Sequence, residues 1–299
     1  MSMTGVCLKQ VTGCVSRRIL SVTRRHHLAI QPNRCLFFES DFKSGYSSKK
    51  LKRPTLAGLK EEVKDLGPEL GKLKQEWIRK MRCDEVWDQQ HGDYEVVWRF
   101  NDKDTINSWI VTRDHDHDEG NSKAEFTLGA NKKGIFRGVL DTNVPKDGII
   151  KESGFCNISS QRHKKSFKRD DPYNWERYTH LLLRVRGDGR TYQVVIGMHR
   201  YYDLTWNDQY TYPLFTRGGP YWQTAKIPFS KFYLAAKGRI QDKQEKMQLD
   251  RISYVGITLA DAYNGPFNLE VDYIGLYYDS NHSQDFAYEM YQVPSYMIY

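Results

Sequence analysis

Asp114-His115-Asp116-His117-Asp118-Glu119 is the densest run of side chains able to hold a cation or move a proton. Alternating carboxylates and imidazoles would suit a hard or borderline ion. The spacing fits neither an EF-hand loop nor an H-E-x-x-H helix, and contiguous turn residues rarely converge on one ion. The run therefore reads as a solvated acidic loop. A rise in melting temperature with calcium would revive the metal reading. The sequence has no G-x-S-x-G, no P-loop and no G-x-G-x-x-G after a strand, and its Cys and His follow no catalytic spacing. No catalytic, cofactor-binding or metal-ligating residue is assigned, and no cofactor is expected. Cys83 and Cys156 have no C-x-x-C partner and read as free thiols.

Three further constellations carry weaker signals. Arg186-Gly187-Asp188 spells an integrin-type tripeptide, but two Gly between apolar-alternating stretches make a tight hairpin the better reading. Aromatics are dense between 201 and 222: Tyr201, Tyr202, Trp206, Tyr210, Tyr212, Tyr221 and Trp222. Such rings fill a sandwich core or form an exposed binding patch. A sugar-stacking face is the alternative, resting on Trp206 or Trp222. The basic stretch Arg162-His163-Lys164-Lys165 with Lys168 and Arg169 reads as a solvated loop. One aromatic, Phe167, is too few for a single-strand stacking platform, so no nucleic-acid partner is assigned.

These side chains must be positioned by the elements around them. Leu56, Leu59, Val63, Leu66, Leu70, Leu73 and Trp77 recur at spacings of three and four, the pattern of one helix face. Gly67-Pro68 predicts a break into two short amphipathic helices. After about residue 84 the period becomes two. Tyr94, Val96, Trp98 and Phe100 share a face. Ala124, Phe126 and Leu128 follow, then Leu181, Leu183 and Val185, then Tyr192, Val194, Ile196 and Met198, then Val255, Ile257 and Leu259. In the last strand Phe267, Leu269, Val271 and Tyr273 give way to Ile274, Leu276 and Tyr278, a parity switch that a β-bulge would produce. Gly-rich turns separate these segments, while 152–171 is loop over part of its length. Many short strands without interleaved helices predict an antiparallel sandwich or barrel.

The first 38 residues contain no Asp or Glu but carry Lys9, Arg17, Arg18, Arg24, Arg25 and Arg34 among Ser, Thr and short apolar clusters. That is the composition of a mitochondrial transit peptide and lacks the apolar core of a secretory signal. Six of the net +8 charges sit there, leaving about +2 for the rest, so the basic balance is weak evidence for nucleic-acid binding. No apolar run is long enough to span a bilayer.

Several strings carry a resemblance. They are Trp98-Arg99-Phe100 with Trp109, Ser122-Lys123-Ala124-Glu125-Phe126, and Phe136-Arg137-Gly138-Val139-Leu140. Leu183-Arg184-Val185-Arg186-Gly187-Asp188-Gly189-Arg190-Thr191-Tyr192, the run from Trp222 to Phe232 (W-x-x-x-x-I-P-F-x-x-F), and Gly265-Pro266-Phe267-Asn268-Leu269-Glu270-Val271-Asp272-Tyr273-Ile274 complete it. Together, over about residues 88–280, they resemble the mitochondrial complex I intermediate-associated protein 30 family. The resemblance implies a galactose-binding-like jelly-roll sandwich related to carbohydrate-binding modules. It implies a chaperone-like role in assembling NADH:ubiquinone oxidoreductase, on membrane-arm intermediates and beside other assembly factors, and it supplies no catalytic residues.

The expected organisation is therefore a transit peptide (1–38), a basic linker with amphipathic helices (39–83), an all-β jelly-roll sandwich (84–280) and a Tyr-rich tail (281–299). The expected partners are complex I subunits and other complex I assembly factors, in the mitochondrial matrix, peripheral to the inner membrane at most. A jelly-roll carbohydrate-binding module is the alternative function. The candidate contact surface comprises Leu59, Leu66, Leu73, Trp77, Arg162, Lys165, Arg169, Tyr202, Trp206, Tyr210 and Trp222. The tail, with Phe286, Tyr288, Tyr291, Tyr296 and Tyr299, either packs back on the sandwich or docks on a partner.

Overall fold

The computed structural model describes residues 56–82, 90–117, 120–144, 153–199, 208–236 and 238–288. The expected transit-peptide segment, Cys83, Asp118, Glu119, Tyr201, Tyr202, Trp206 and the tail from 289 onward lie outside them, as does the Leu59 side chain. Two compact units divide the chain: Met1–Leu73 with Ser166–Lys168, and Lys74–Lys165 with Arg169–Tyr299.

Helix α1 runs unbroken from Leu56 to Arg82 with Pro68 inside it, correcting the expected pair of short helices. Proline removes one backbone donor and crowds the carbonyl four residues back. Yet the apolar positions keep their three-four spacing through Gly67-Pro68 without a slip. One unbroken stripe calls for one helix, and that continuity was the readable signal. In the first unit the Phe167 N–H donates to Glu69 Oε2 at 2.6 Å, with Phe167 held at φ +59°.

The second unit is an all-β jelly-roll sandwich with thirteen strands among the described residues: β1 Tyr94–Arg99, β2 Trp109–Arg113, β3 Lys123–Leu128, β4 Gly134–Leu140, β5 Cys156–Ser160, β6 His180–Arg186, β7 Thr191–Met198, β8 Asp208–Phe215, β9 Gln223–Pro228, β10 Tyr233–Ala236, β11 Arg239–Ile240, β12 Ile252–Leu259 and β13 Gly265–Tyr277. One sheet has the order β3-β4-β13-β6-β9, with β1 also paired to β13. The other has the order β11-β10-β8-β7-β12-β5-β2. All pairs are antiparallel. Helix α2, Lys103–Asn107, joins β1 to β2.

The core lies between the sheets. Phe136, Leu181, Leu183, Val185, Ile227, Leu269, Val271 and Ile274 come from one, and Ile158, Val194, Ile196, Val255, Ile257 and Leu259 from the other, all essentially inaccessible. An aromatic knot closes one flank: Trp98 meets Trp109 edge-on at 5.7 Å, and Phe100 meets Trp109 at 5.1 Å. Such edge-to-face pairs add to the area they bury.

Two bulges decide which side chains reach this core. Opposite β6, Val271 pairs with Val185 and Tyr273 with Arg184, so Asp272 is the extra residue. The parity switch in the sequence had this cause, one position earlier than expected. Opposite β13, the register shifts between Val96 and Trp98. That corrects the expectation that Tyr94, Val96, Trp98 and Phe100 share a face. Tyr94 is 67% exposed, while Phe100 is fully buried and Trp98 packs against the core.

Candidate functional site

At one end of the sandwich the strand-end loops are tied into a single polar structure, and Arg190 is its centre. The tight turn after β6 places Asp188 and Arg190, with Gly189 at φ +95°, a value that favours glycine. The Arg190 guanidinium has five N–H donors, and each finds an acceptor. Nε and one Nη bond both oxygens of Asp261 at 2.8 and 2.5 Å. The other bonds run to the Tyr263, Gly265 and Pro266 carbonyls. The Tyr263 ring lies beneath the guanidinium. Burial raises the Asp261 carboxyl, but its bonds to Arg190 outweigh that and hold its pKa below the usual value. Asp188 accepts from the backbone of Arg190 and Asn268 and from the Tyr192 hydroxyl. Burial, with Asp188 beside it, pushes the Tyr192 phenol far up. The R-G-D string is therefore a hairpin whose charged groups are internally bound.

Asp114 ties the same end to β3 and β5. It is fully buried and accepts from Ser122 N–H (2.9 Å), Ser122 Oγ (2.8 Å), Gly154 N–H (3.0 Å) and Ser153 Oγ (3.3 Å). Gly120 passes so close that a Cβ there would lie 2.2 Å from Asp114 Oδ2. The first residue of the acidic run is thus a structural anchor, which corrects the solvated-loop expectation at Asp114. Asp116 pairs with Arg113 at 3.0 Å. Among the described residues no three metal-capable side chains converge. Cys156, buried nearby, has its thiol pushed up to about 12 by burial and by Asp114, which makes it inert as a nucleophile.

Around this clamped end the exposed aromatic side chains, among the described residues, include Phe215, Tyr221 and Tyr263, 71%, 77% and 70% accessible. Sequence reasoning missed Phe215 and Tyr263. They stand at a strand end and in a turn, where periodicity says nothing about exposure. Trp222, expected as a contact residue, is half-buried. Arg186 and Arg184 lie over its ring at 5.1 and 5.7 Å. Arg186 pairs with Glu270 at 2.5 Å, and Arg184 and Lys133 both reach Asp272. A pyranose stacking on the face of Trp222 that these guanidinium groups approach would have to displace them.

The remaining expected residues differ in burial and in their partners. Tyr210 is a core residue, 2% exposed, which corrects its place in the contact surface; its apolar neighbours on β8 carry it inward. Part of the basic loop is paired: Lys165 and His163 both meet Asp171, at 2.6 and 3.0 Å, and Arg169 meets Glu76 at 2.6 Å. Arg162 is half-buried. Leu66 and Leu73 are half-buried and Trp77 is 61% exposed. The described start of the tail packs back on the sandwich: Ala287 N–H donates to the Ser230 carbonyl, and the Tyr288 hydroxyl to the Lys231 carbonyl.

Ser230 Oγ and His282 Nε2, 3.3 Å apart, form one of several hydroxyl–imidazole pairs, with Thr179–His180 at 2.7 Å and Ser280–His91 at 3.2 Å. Among the described residues no carboxylate bonds to His282, so the third group that would orient the imidazole is missing. The neighbouring ring is His180, edge-on at 4.8 Å. Burial, followed by His282 and Lys226, lowers the His180 pKa to about 4.

These features define a jelly-roll sandwich with a rigidly clamped loop end that displays aromatic side chains. Residues 98–271 match Complex I intermediate-associated protein 30 (CIA30). The Complex I intermediate-associated protein 30, mitochondrial, of Drosophila melanogaster is 44% identical over 88% of this chain and 89% of its own length. The mouse protein of that name is 42% identical over 65% of this chain and 59% of its own. The chain belongs to the complex I intermediate-associated protein 30 family. Among solved structures, a family 11 carbohydrate-binding module from Clostridium thermocellum, in complex with a mixed-linked tetrasaccharide, covers 65% of this chain and 100% of its own at 14% identity and a TM-score of 0.44.

Proposed function

We propose that this chain is a chaperone-like assembly factor for mitochondrial respiratory complex I, acting in the matrix on membrane-arm intermediates. The observation that carries this reading is the 44% identity, across nearly the whole of both chains, to a protein named for association with complex I intermediates. The acid-free, arginine-rich first 38 residues support mitochondrial import. The geometry supports work by surface and without chemistry. Five ionisable groups at the loop end are engaged internally, through Arg190–Asp261, Arg186–Glu270 and the bonds to Asp188. What that end offers outward is aromatic area, the material of protein interfaces. In this reading Phe215, Tyr221 and Tyr263 cover a subunit surface until its neighbour arrives, with Trp222 and Arg162 as further contact residues.

The test is two-dimensional native electrophoresis of mitochondria carrying the tagged chain. The chain should migrate with incomplete complex I assemblies that contain membrane-arm subunits and be absent from the finished enzyme. Migration only as free protein, or with another respiratory complex, would overturn the reading.

A further inference from the structure

The last turns of helix α1 carry an exposed apolar arc beside an excess of positive charge. Trp77, Ile78 and Met81 are 61%, 40% and 78% accessible, and their spacing places them on one side of the helix. Lys74, Arg79, Lys80 and Arg82 stand around them, the last three in the final turn. The acid of this stretch, Glu76, is engaged by Arg169 at 2.6 Å. No described helix is long and apolar enough to cross a membrane, so contact with a bilayer here means lying on it.

We propose that Lys74–Arg82 docks on an anionic membrane surface, with Trp77, Ile78 and Met81 entering the headgroup region and Lys74, Arg79 and Arg82 meeting lipid phosphates. Charge complementarity selects this occupant. A groove in a protein would take the three apolar side chains and leave Lys74, Arg79 and Arg82 unanswered, whereas a leaflet of anionic lipids presents diffuse negative charge around a shallow apolar layer. An indole ring suits the headgroup depth because one side is apolar and its N–H is polar. The inference stands apart from the assembly reading, since either can fail alone.

The experiment is flotation of the purified full chain with vesicles of phosphatidylcholine, alone or with about one-third phosphatidylglycerol. Binding should require the anionic lipid and weaken with added salt. Two independent double variants, W77A/M81D and R79E/R82E, should each lower partitioning roughly tenfold or more. The substituted side chains are on the surface, so both variants should keep the parent melting temperature. If one pair fails to melt cooperatively, the other decides. Because both variants retain the basic first 38 residues, binding equal to the parent would assign the vesicle contact elsewhere and overturn the proposal. So would an absence of binding to anionic vesicles, including the case where W77A/M81D loses only a protein partner.

Discussion

Arg190 grips Asp261 through two hydrogen bonds, at 2.8 and 2.5 Å, and its three other donors hold the carbonyls of Tyr263, Gly265 and Pro266. One side chain thereby fixes the turn between β12 and β13 against the turn after β6. The exposed ring of Tyr263 is carried on this clamp.

Replacing Arg190 with Ala should cost about 2–4 kcal/mol, since a half-buried carboxylate and three carbonyls lose their partner together. Lysine should not rescue it, because one ammonium cannot reach five diverging acceptors. Urea unfolding of the two variants checks both statements; a Lys variant as stable as the parent would contradict them.

Asp114→Ala should destabilise by about 2–4 kcal/mol by orphaning four donors. Millimolar calcium should leave the melting temperature of the parent chain unchanged. Thermal melting with and without calcium reads both, and a calcium-dependent rise would return a metal role to this acidic run.

His180 supplies a pH dependence with a definite sign. Its folded pKa, about 4, lies below the 6.5 of the free side chain. Between those values the unfolded chain binds the extra proton, so stability falls as pH drops from about 6.5 toward 4 and is unaffected by this group above that window. The loss should reach the order of 2 kcal/mol. Denaturation midpoints at a series of pH values, in the parent and in His180→Gln, would show it as a slope that the variant lacks.

Core and surface assignments within the aromatic set separate cleanly in stability. Tyr210→Ala should cost about 3–5 kcal/mol, as an aromatic removed from a packed interior. Trp77→Ala should stay within about 0.5 kcal/mol. Equal effects would contradict the placement of Tyr210 inside and Trp77 outside.

The legible parts of this fold are those where burial shows in alternation. The parity of Phe267, Leu269 and Val271 against Ile274 and Leu276 announces the bulge at Asp272. Strand β5 was illegible for the opposite reason. Cys156–Ser160 is largely buried yet reads as polar, because side chains answer its neighbours: Ser160 Oγ accepts from Val255 N–H, and Thr258 Oγ1 donates to Asn157. The bulge at Val97 hid the separation of Tyr94 from Phe100, since an inserted residue leaves no mark in a run of apolar side chains. At the loop end, three of Arg190's acceptors are backbone carbonyls, which residue type cannot reveal. Asp114 and Gly120 stand six positions apart in sequence, and only the fold shows that the glycine exists to make room for the carboxylate.

The most direct measurement is the amount of assembled complex I, by native gel, in cells depleted of this protein and then supplied with the intact chain. The account predicts selective loss of complex I with accumulation of membrane-arm subassemblies, and recovery when the chain returns. Unchanged complex I after depletion, or an equal fall in all respiratory complexes, would contradict it.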